Sequence, residues 1–335
     1  MVARSWLDGL RRVLAAPAVI AGVFAATLLT AAPLALAMRG AIESHLGRSL
    51  VAGGVAEGID YDWWQEFASQ ATGLGATFSP TIVGFAATLR NLSGLLSAQP
   101  EILQLNAALA FYLLAWAFLS GGILDRYARR RPTRAHGFFA AAGTCFWRFL
   151  RLGILAGIAY WFLFTYVHEW LFGDLYTRAT RDVTAERVAF AWRAALYAVF
   201  GALLLAVNVT VDYARIRAVV EDRRSAIGAV MAALGFIARH PGPVAGLYAL
   251  NALVFVLLLA AWAVVSPGVT GAGLSMWLAF LGGQLYILAR LLLKLQFMAS
   301  QTALFQSSLA HAGYAAAPAP VWPESPAAEA IAGGP

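Results

Sequence analysis

The chain has 335 residues, 61% hydrophobic and only 12% charged, with 24 basic against 17 acidic residues and a net charge of +7. Its mean hydropathy is +0.70. A water-soluble chain carries roughly a quarter charged residues, and disordered chains are poor in apolar ones, so composition excludes both classes and leaves a polytopic membrane protein.

A helix needs about 20 mostly apolar residues to cross the hydrocarbon layer. Six stretches meet that need, at about 17–38, 103–124, 149–172, 188–211, 244–265 and 274–295. The expected fold class is therefore all-α: a bundle of six transmembrane helices, with interfacial amphipathic helices and a duplicated helical hairpin.

Residues 1–16 form an amphipathic lead-in, where Trp6, Leu7, Leu10, Val13 and Leu14 share one helical face, as in helices that lie on a membrane surface. A cleaved leader is the alternative. Arg11-Arg12 would be its basic region, and Ala35-Leu36-Ala37 has the form of a cleavage site. The apolar run that follows is longer than the 7–15 residues usual in a leader, so a retained helix is expected.

The longest non-spanning stretch is 39–102, which carries six acids against Arg39, Arg48 and Arg90. Its Asp60-Tyr61-Asp62-Trp63-Trp64 mixture suits the membrane interface. Residues 77–96 are interrupted by Pro80, Gly84, Arg90 and Gly94, which predicts a re-entrant or surface-lying helix. Between spans four and five, Ile227, Val230, Met231, Leu234 and Ile237 recur at helical spacing between Arg224 and Arg239. This reads as an in-plane helix, with a counterpart at 140–148. A helix of that kind anchors to lipid, or docks a cytoplasmic partner. The tail 312–335 is rich in Ala and Pro and is expected to be disordered.

Charge sets the orientation. Three basic residues lie in 1–16, seven in 125–151, five in 212–240 and two in 290–335, making 17 on one side against 7 on the other. Basic residues stay in the cytoplasm, so both termini are expected there, in a bacterial cytoplasmic (inner) membrane. The rule accounts for the basic excess without a nucleic-acid partner. The expected partners are membrane lipids, anionic phospholipid at the cytoplasmic face among them because guanidinium forks match phosphate geometry, together with other membrane subunits.

Two connections resemble each other. One opens with Asp125-Arg126-Tyr127-Ala128-Arg129, the other with Asp212-Tyr213-Ala214-Arg215. Each later enters a span through Gly-x-x-Ala-Gly, at Gly153/Gly157 and at Gly242/Gly246. Spans two–three and four–five thus read as one hairpin used twice, as a parallel repeat. The acids and arginines are candidate ion pairs at helix ends, Asp125 with Arg129 and Asp212 with Arg215. The glycines are candidate helix contacts, because small residues four apart let backbones approach in lipid.

Charge inside a span is the best pointer to function. Arg290 lies at least a turn inside the end of span six, with Lys294 beyond it. Arg290 snorkels to the surface, pairs with Asp212 or Asp125, or serves a substrate. Catalytic patterns are missing: His45, His136, His168, His240 and His311 show no metal-ligand spacing, Cys145 is single, and no nucleophile or nucleotide motif occurs. No catalytic residue, metal or cofactor is expected.

The run Asp212-Tyr213-Ala214-Arg215-Ile216-Arg217-Ala218-Val219-Val220-Glu221-Asp222-Arg223-Arg224, with Arg239-His240-Pro241, resembles a diffuse group of bacterial six-helix integral membrane proteins. That group is related to the membrane domain of some glycerophosphoryl diester phosphodiesterases. The resemblance implies the membrane fold over spans two to six and carries no catalytic residues; the phosphodiesterase domain with its histidine and carboxylate metal site is absent. The expected function is non-enzymatic: a structural or lipid-handling component of a membrane complex. The alternative is a permease subunit of a multi-component exporter.

Overall fold

The computed structural model describes residues 1–47, 49–57, 60–78, 93–94, 103–130, 132–266 and 273–309. Among these residues the regular structure is entirely helical. The helices are α1 (Val2–Leu14), α2 (Pro17–Leu46), α3 (Ala52–Glu57), α4 (Tyr61–Gln70), α5 (Leu103–Arg129), α6 (Ala135–Thr180), α7 (Glu186–Val220), α8 (Ala226–Arg239), α9 (Pro241–Val265) and α10 (Leu274–Ser308). Six of them, α2, α5, α6, α7, α9 and α10, are long and apolar enough to cross a membrane. The chain is an all-α, multi-pass membrane protein. Most of 77–96 and the whole of 312–335 lie outside the described residues.

Helices α7 and α10 each run 35 residues, about 52 Å at 1.5 Å per residue. The hydrocarbon needs only ~30 Å, so each projects well beyond it. The projecting ends carry the core. In α7 the buried residues gather from Val209 to Val220, and in α10 from Leu291 to Gln306. With α1, α8, the last turns of α5 and the first of α6 and α9 they form a packed base at one end of the bundle. Towards the opposite end a smaller cluster, Leu163, Leu171, Leu196 and Phe200, lies between α6 and α7.

The base is joined by polar side chains. Arg12 is 5% exposed and donates to Asp8, to the Tyr127 carbonyl at 3.0 Å and to Gln306 Oε1 at 2.8 Å. Burial lowers the pKa of its guanidinium and nearby Arg130 adds to that, while Asp8 opposes both. Gln306 returns a bond to the Ala128 carbonyl, Gln296 donates to the Trp6 carbonyl at 2.8 Å, and Asn251 bridges Trp6 and Ser300. Helix α1 thereby links α5, α9 and α10. It docks through Ser5, Gly9, Arg12 and Val13, because a Cβ on Gly9 would stand 2.6 Å from Ser300 backbone atoms. Leu7 and Leu14 remain exposed. The predicted apolar face is thus divided: Val13 is buried and Trp6 packs against the core, while Ser5 and Gly9 allow the close approach.

Some boundaries differ from expectation. Helix α2 runs on to Leu46, where His45 accepts from Trp63 Nε1 at 3.0 Å and packs with Phe67; α4 is capped by Asp60, which accepts from Trp63 N. Residues 140–148 are not a separate in-plane helix. They lie within α6, which runs straight through and continues over two π-helical stretches, Leu163–Val167 and Trp170–Leu175. The α8–α9 connection does break, because Pro241 starts α9 with no N–H to continue the earlier helix. Helices α5 and α7 do share one ending: each is followed by a left-handed residue, Arg130 (φ 56°) and Asp222 (φ 49°).

Nearly as tight as the Gly9 contact is the glycine packing between α5 and α6. A Cβ on Gly121 would meet Cys145 Cβ at 2.7 Å, and one on Gly122 would meet the Phe138 carbonyl at 2.8 Å. Gly122→Ala and Gly9→Ala are therefore expected to lower stability by about 1–3 kcal/mol through overpacking. Gly143→Ala, which faces open space, should leave it unchanged or raise it by about 0.4–1 kcal/mol. Thermal unfolding in detergent measures all three; equal behaviour would show that the α5–α6 and α1–α10 contacts are looser than described.

Candidate functional site: a polar chamber within the bundle

Helical spacing brings a second set of polar residues to one place. On α7, Asn208, Asp212 and Arg215 fall at i, i+4 and i+7, and on α10 Ile287, Arg290, Lys294 and Gln301 follow one stripe. Tyr112 and Trp116 on α5 are four apart, and Gly153, Gly157 and Tyr160 line one side of α6. Thr27 of α2 and Phe255 of α9 complete the wall. All six spanning helices thus surround a half-enclosed chamber of about 1160 Å³, mostly apolar in its lining.

Asp212 is the only carboxylate among the lining residues. Its Oδ2 accepts from Tyr248 Oη of α9, from Gln301 Nε2 at 3.3 Å and from Asn208 Nδ2 at 3.5 Å. The acid is therefore tied to two other helices, α9 and α10, and its charge is offset by donors. Against it stand three cations. Arg215 Nη1 lies 3.9 Å from Asp212 Oδ1, beyond hydrogen-bond length, and Arg215 Nε is buried without a partner. Lys294 Nζ donates to Tyr112 Oη at 2.9 Å and sits 3.5 Å from the centroid of the Trp116 ring. Arg290 lies over the Tyr286 ring at 5.7 Å, itself stacked on Trp262.

The residues singled out from sequence divide between two places. Asp125 and Arg129 pair at 2.8 Å in the base. Asp212, Arg215, Arg290 and Lys294 meet in the chamber. Among the described residues Arg290 forms no ion pair with either Asp212 or Asp125: Asp125 holds Arg129, and Asp212 is held by Tyr248, Gln301 and Asn208. The glycines divide: Gly246 contacts another helix, a Cβ there meeting Val2 of α1 at 3.3 Å, whereas Gly153, Gly157 and Gly242 have no neighbouring helix within reach of a Cβ. Gly153 and Gly157 instead line the chamber. Close packing occurs where Gly121 and Gly122 face α6, so the wall at Gly153 and Gly157 stays open.

Tyr248, Gln301, Tyr112 and Trp116 escaped the sequence reading. Tyr112, Trp116 and Tyr248 read as ordinary span residues, and Gln301 lay beyond the expected end of span six. The available signal was spacing: Gln301 lies seven residues, two helical turns, after Lys294. Among the described residues no three of His, Cys, Asp and Glu stand close enough to hold a metal ion. Chemically the chamber combines fixed positive charge and hydroxyl donors with a broad apolar wall.

No family model, curated protein or solved structure matches this chain.

Removing the Tyr248 hydroxyl leaves Asp212 short of one donor. Tyr248→Phe is expected to destabilise the protein by about 1–3 kcal/mol. Combining it with Gln301→Leu should show an interaction energy of at least about 0.5 kcal/mol, as neighbours in one network do. Thermal unfolding of the two single variants and the double variant checks this; strict additivity would mean that the two donors do not share Asp212.

Proposed function

We propose that the protein is a non-enzymatic, lipid-handling component of a bacterial cytoplasmic membrane, with the chamber as its lipid site. The carrying observation is the chamber itself: about 1160 Å³, walled by all six spanning helices. Pockets for drug-sized molecules occupy roughly 300–1,000 Å³, so this volume suits a larger amphiphile. The mainly apolar wall suits its chain, and the charged residues of α7 and α10 suit a polar head.

The orientation proposed puts the base and both termini in the cytoplasm. The arginines of 1–16, 125–151 and 212–240 gather at that end, as the positive-inside rule requires. Helix α8 then rests at the cytoplasmic face. It buries Ala229, Ala233 and Phe236 and exposes Ile227, Met231 and Leu234, and Arg223, Arg224 and Arg239 flank it for anionic head groups. That exposed stripe also supports a second reading, a permease subunit whose partner docks on α8. We further propose that the shared endings of α5 and α7 descend from one duplicated hairpin.

Native mass spectrometry of the protein released from mild detergent tests the lipid reading. The expected result is a retained adduct of lipid mass, lost in Gly157→Trp, whose indole would occupy open chamber space. A chain that emerges bare, or an adduct indifferent to Gly157→Trp, would reject the chamber as a lipid site. Co-purification of an ATPase, abolished by Met231→Glu, would favour the permease reading.

A further inference from the structure

Resting on the lipid reading, we propose that the chamber selects its occupant by head-group charge: Arg215, Arg290 and Lys294 form a seat for the phosphate of an anionic glycerolipid. Three cations face a single carboxylate there. That carboxylate offers them little. Oδ2 of Asp212 is committed to Tyr248, Gln301 and Asn208, and its nearest approach to Arg215 is 3.9 Å. Arg215 Nε is buried without a partner. Arg290 forms no ion pair among the described residues and has only the Tyr286 ring beneath it. Lys294 uses one of its three N–H donors on Tyr112.

Three cations compensated only by the long Asp212–Arg215 ion pair are costly among apolar helices, and membrane proteins keep such charges where a substrate or ion compensates. A phosphate supplies what is missing: negative charge, and enough oxygen acceptors for two guanidinium forks and an ammonium. A cationic or zwitterionic head would bring positive charge toward an already positive seat. The chain of the same lipid finds its space beside Gly153 and Gly157, where a Cβ meets nothing within 4 Å. Asp212 then acts as a positioning residue: held from α9 and α10, it fixes α7 so that Arg215 faces the chamber.

The test is lipid competition on the full chain, in vesicles of phosphatidylcholine alone, of phosphatidylcholine with phosphatidylglycerol, and of phosphatidylcholine with inorganic phosphate in the buffer. Retained lipid is read by native mass spectrometry. The wild-type protein should retain phosphatidylglycerol over phosphatidylcholine by about tenfold or more, the worth of one charge-assisted hydrogen bond. Arg290→Gln should remove most of that preference while keeping an adduct, and Arg290→Lys should restore part of it. If Arg290→Gln does not fold, Lys294→Gln gives the same reading. Unchanged preference in the neutralised variants overturns the phosphate seat while leaving the lipid chamber standing. A phosphate adduct in the third arm, with no phosphatidylglycerol adduct in the second, overturns the lipid in favour of a free anion. A wild-type chain bare of every lipid removes the chamber reading itself.

Discussion

Apolar helices in lipid gain little by packing against one another, because the acyl chains around them are just as apolar. Something else must hold six spans together, and here it is the base. Its centre is the second half of α10, where Gln296, Ser300, Gln301, Thr302 and Gln306 are buried and bonded to α1, α5, α7 and α9 or to α10's own backbone. Arg12 closes the arrangement from α1. These contacts are polar and directional, so they determine which helices meet and at what depth.

The chamber follows from that concentration of contacts at one end. With the backbones drawn together at Gly9, Gly121 and Gly122, the spans need not close above, and the wall at Gly153 and Gly157 stays open. The polar residues around the chamber continue the α10 spine. Gln301 belongs to both, donating to Asp212 from a helix that the base already holds. The polar residues of the base and those of the chamber therefore share one helix.

Much of this architecture was legible in the sequence, and for simple reasons. Six apolar runs, the Asp–Arg helix ends and the charge asymmetry all depend on composition and local spacing. The pair Asp125–Arg129 is a contact four residues apart on one helix, which spacing alone can suggest. The break before α9 was legible too, since Pro241 cannot continue a helix.

What the sequence by itself determined is the solvent, the number of spans and which residues share a helical face, because each is a property of a continuous segment. What only the tertiary structure decided is which faces meet. Gly153 and Gly157 carry the same small-residue spacing as any helix contact, yet they border open space, while Gly121 and Gly122 make the close approach. Arg290 and Asp212 line one chamber and remain unpaired because Tyr248, on a different helix, reaches the acid. Such choices turn on distances between helices far apart in the chain, and those distances are set jointly by every contact in the base.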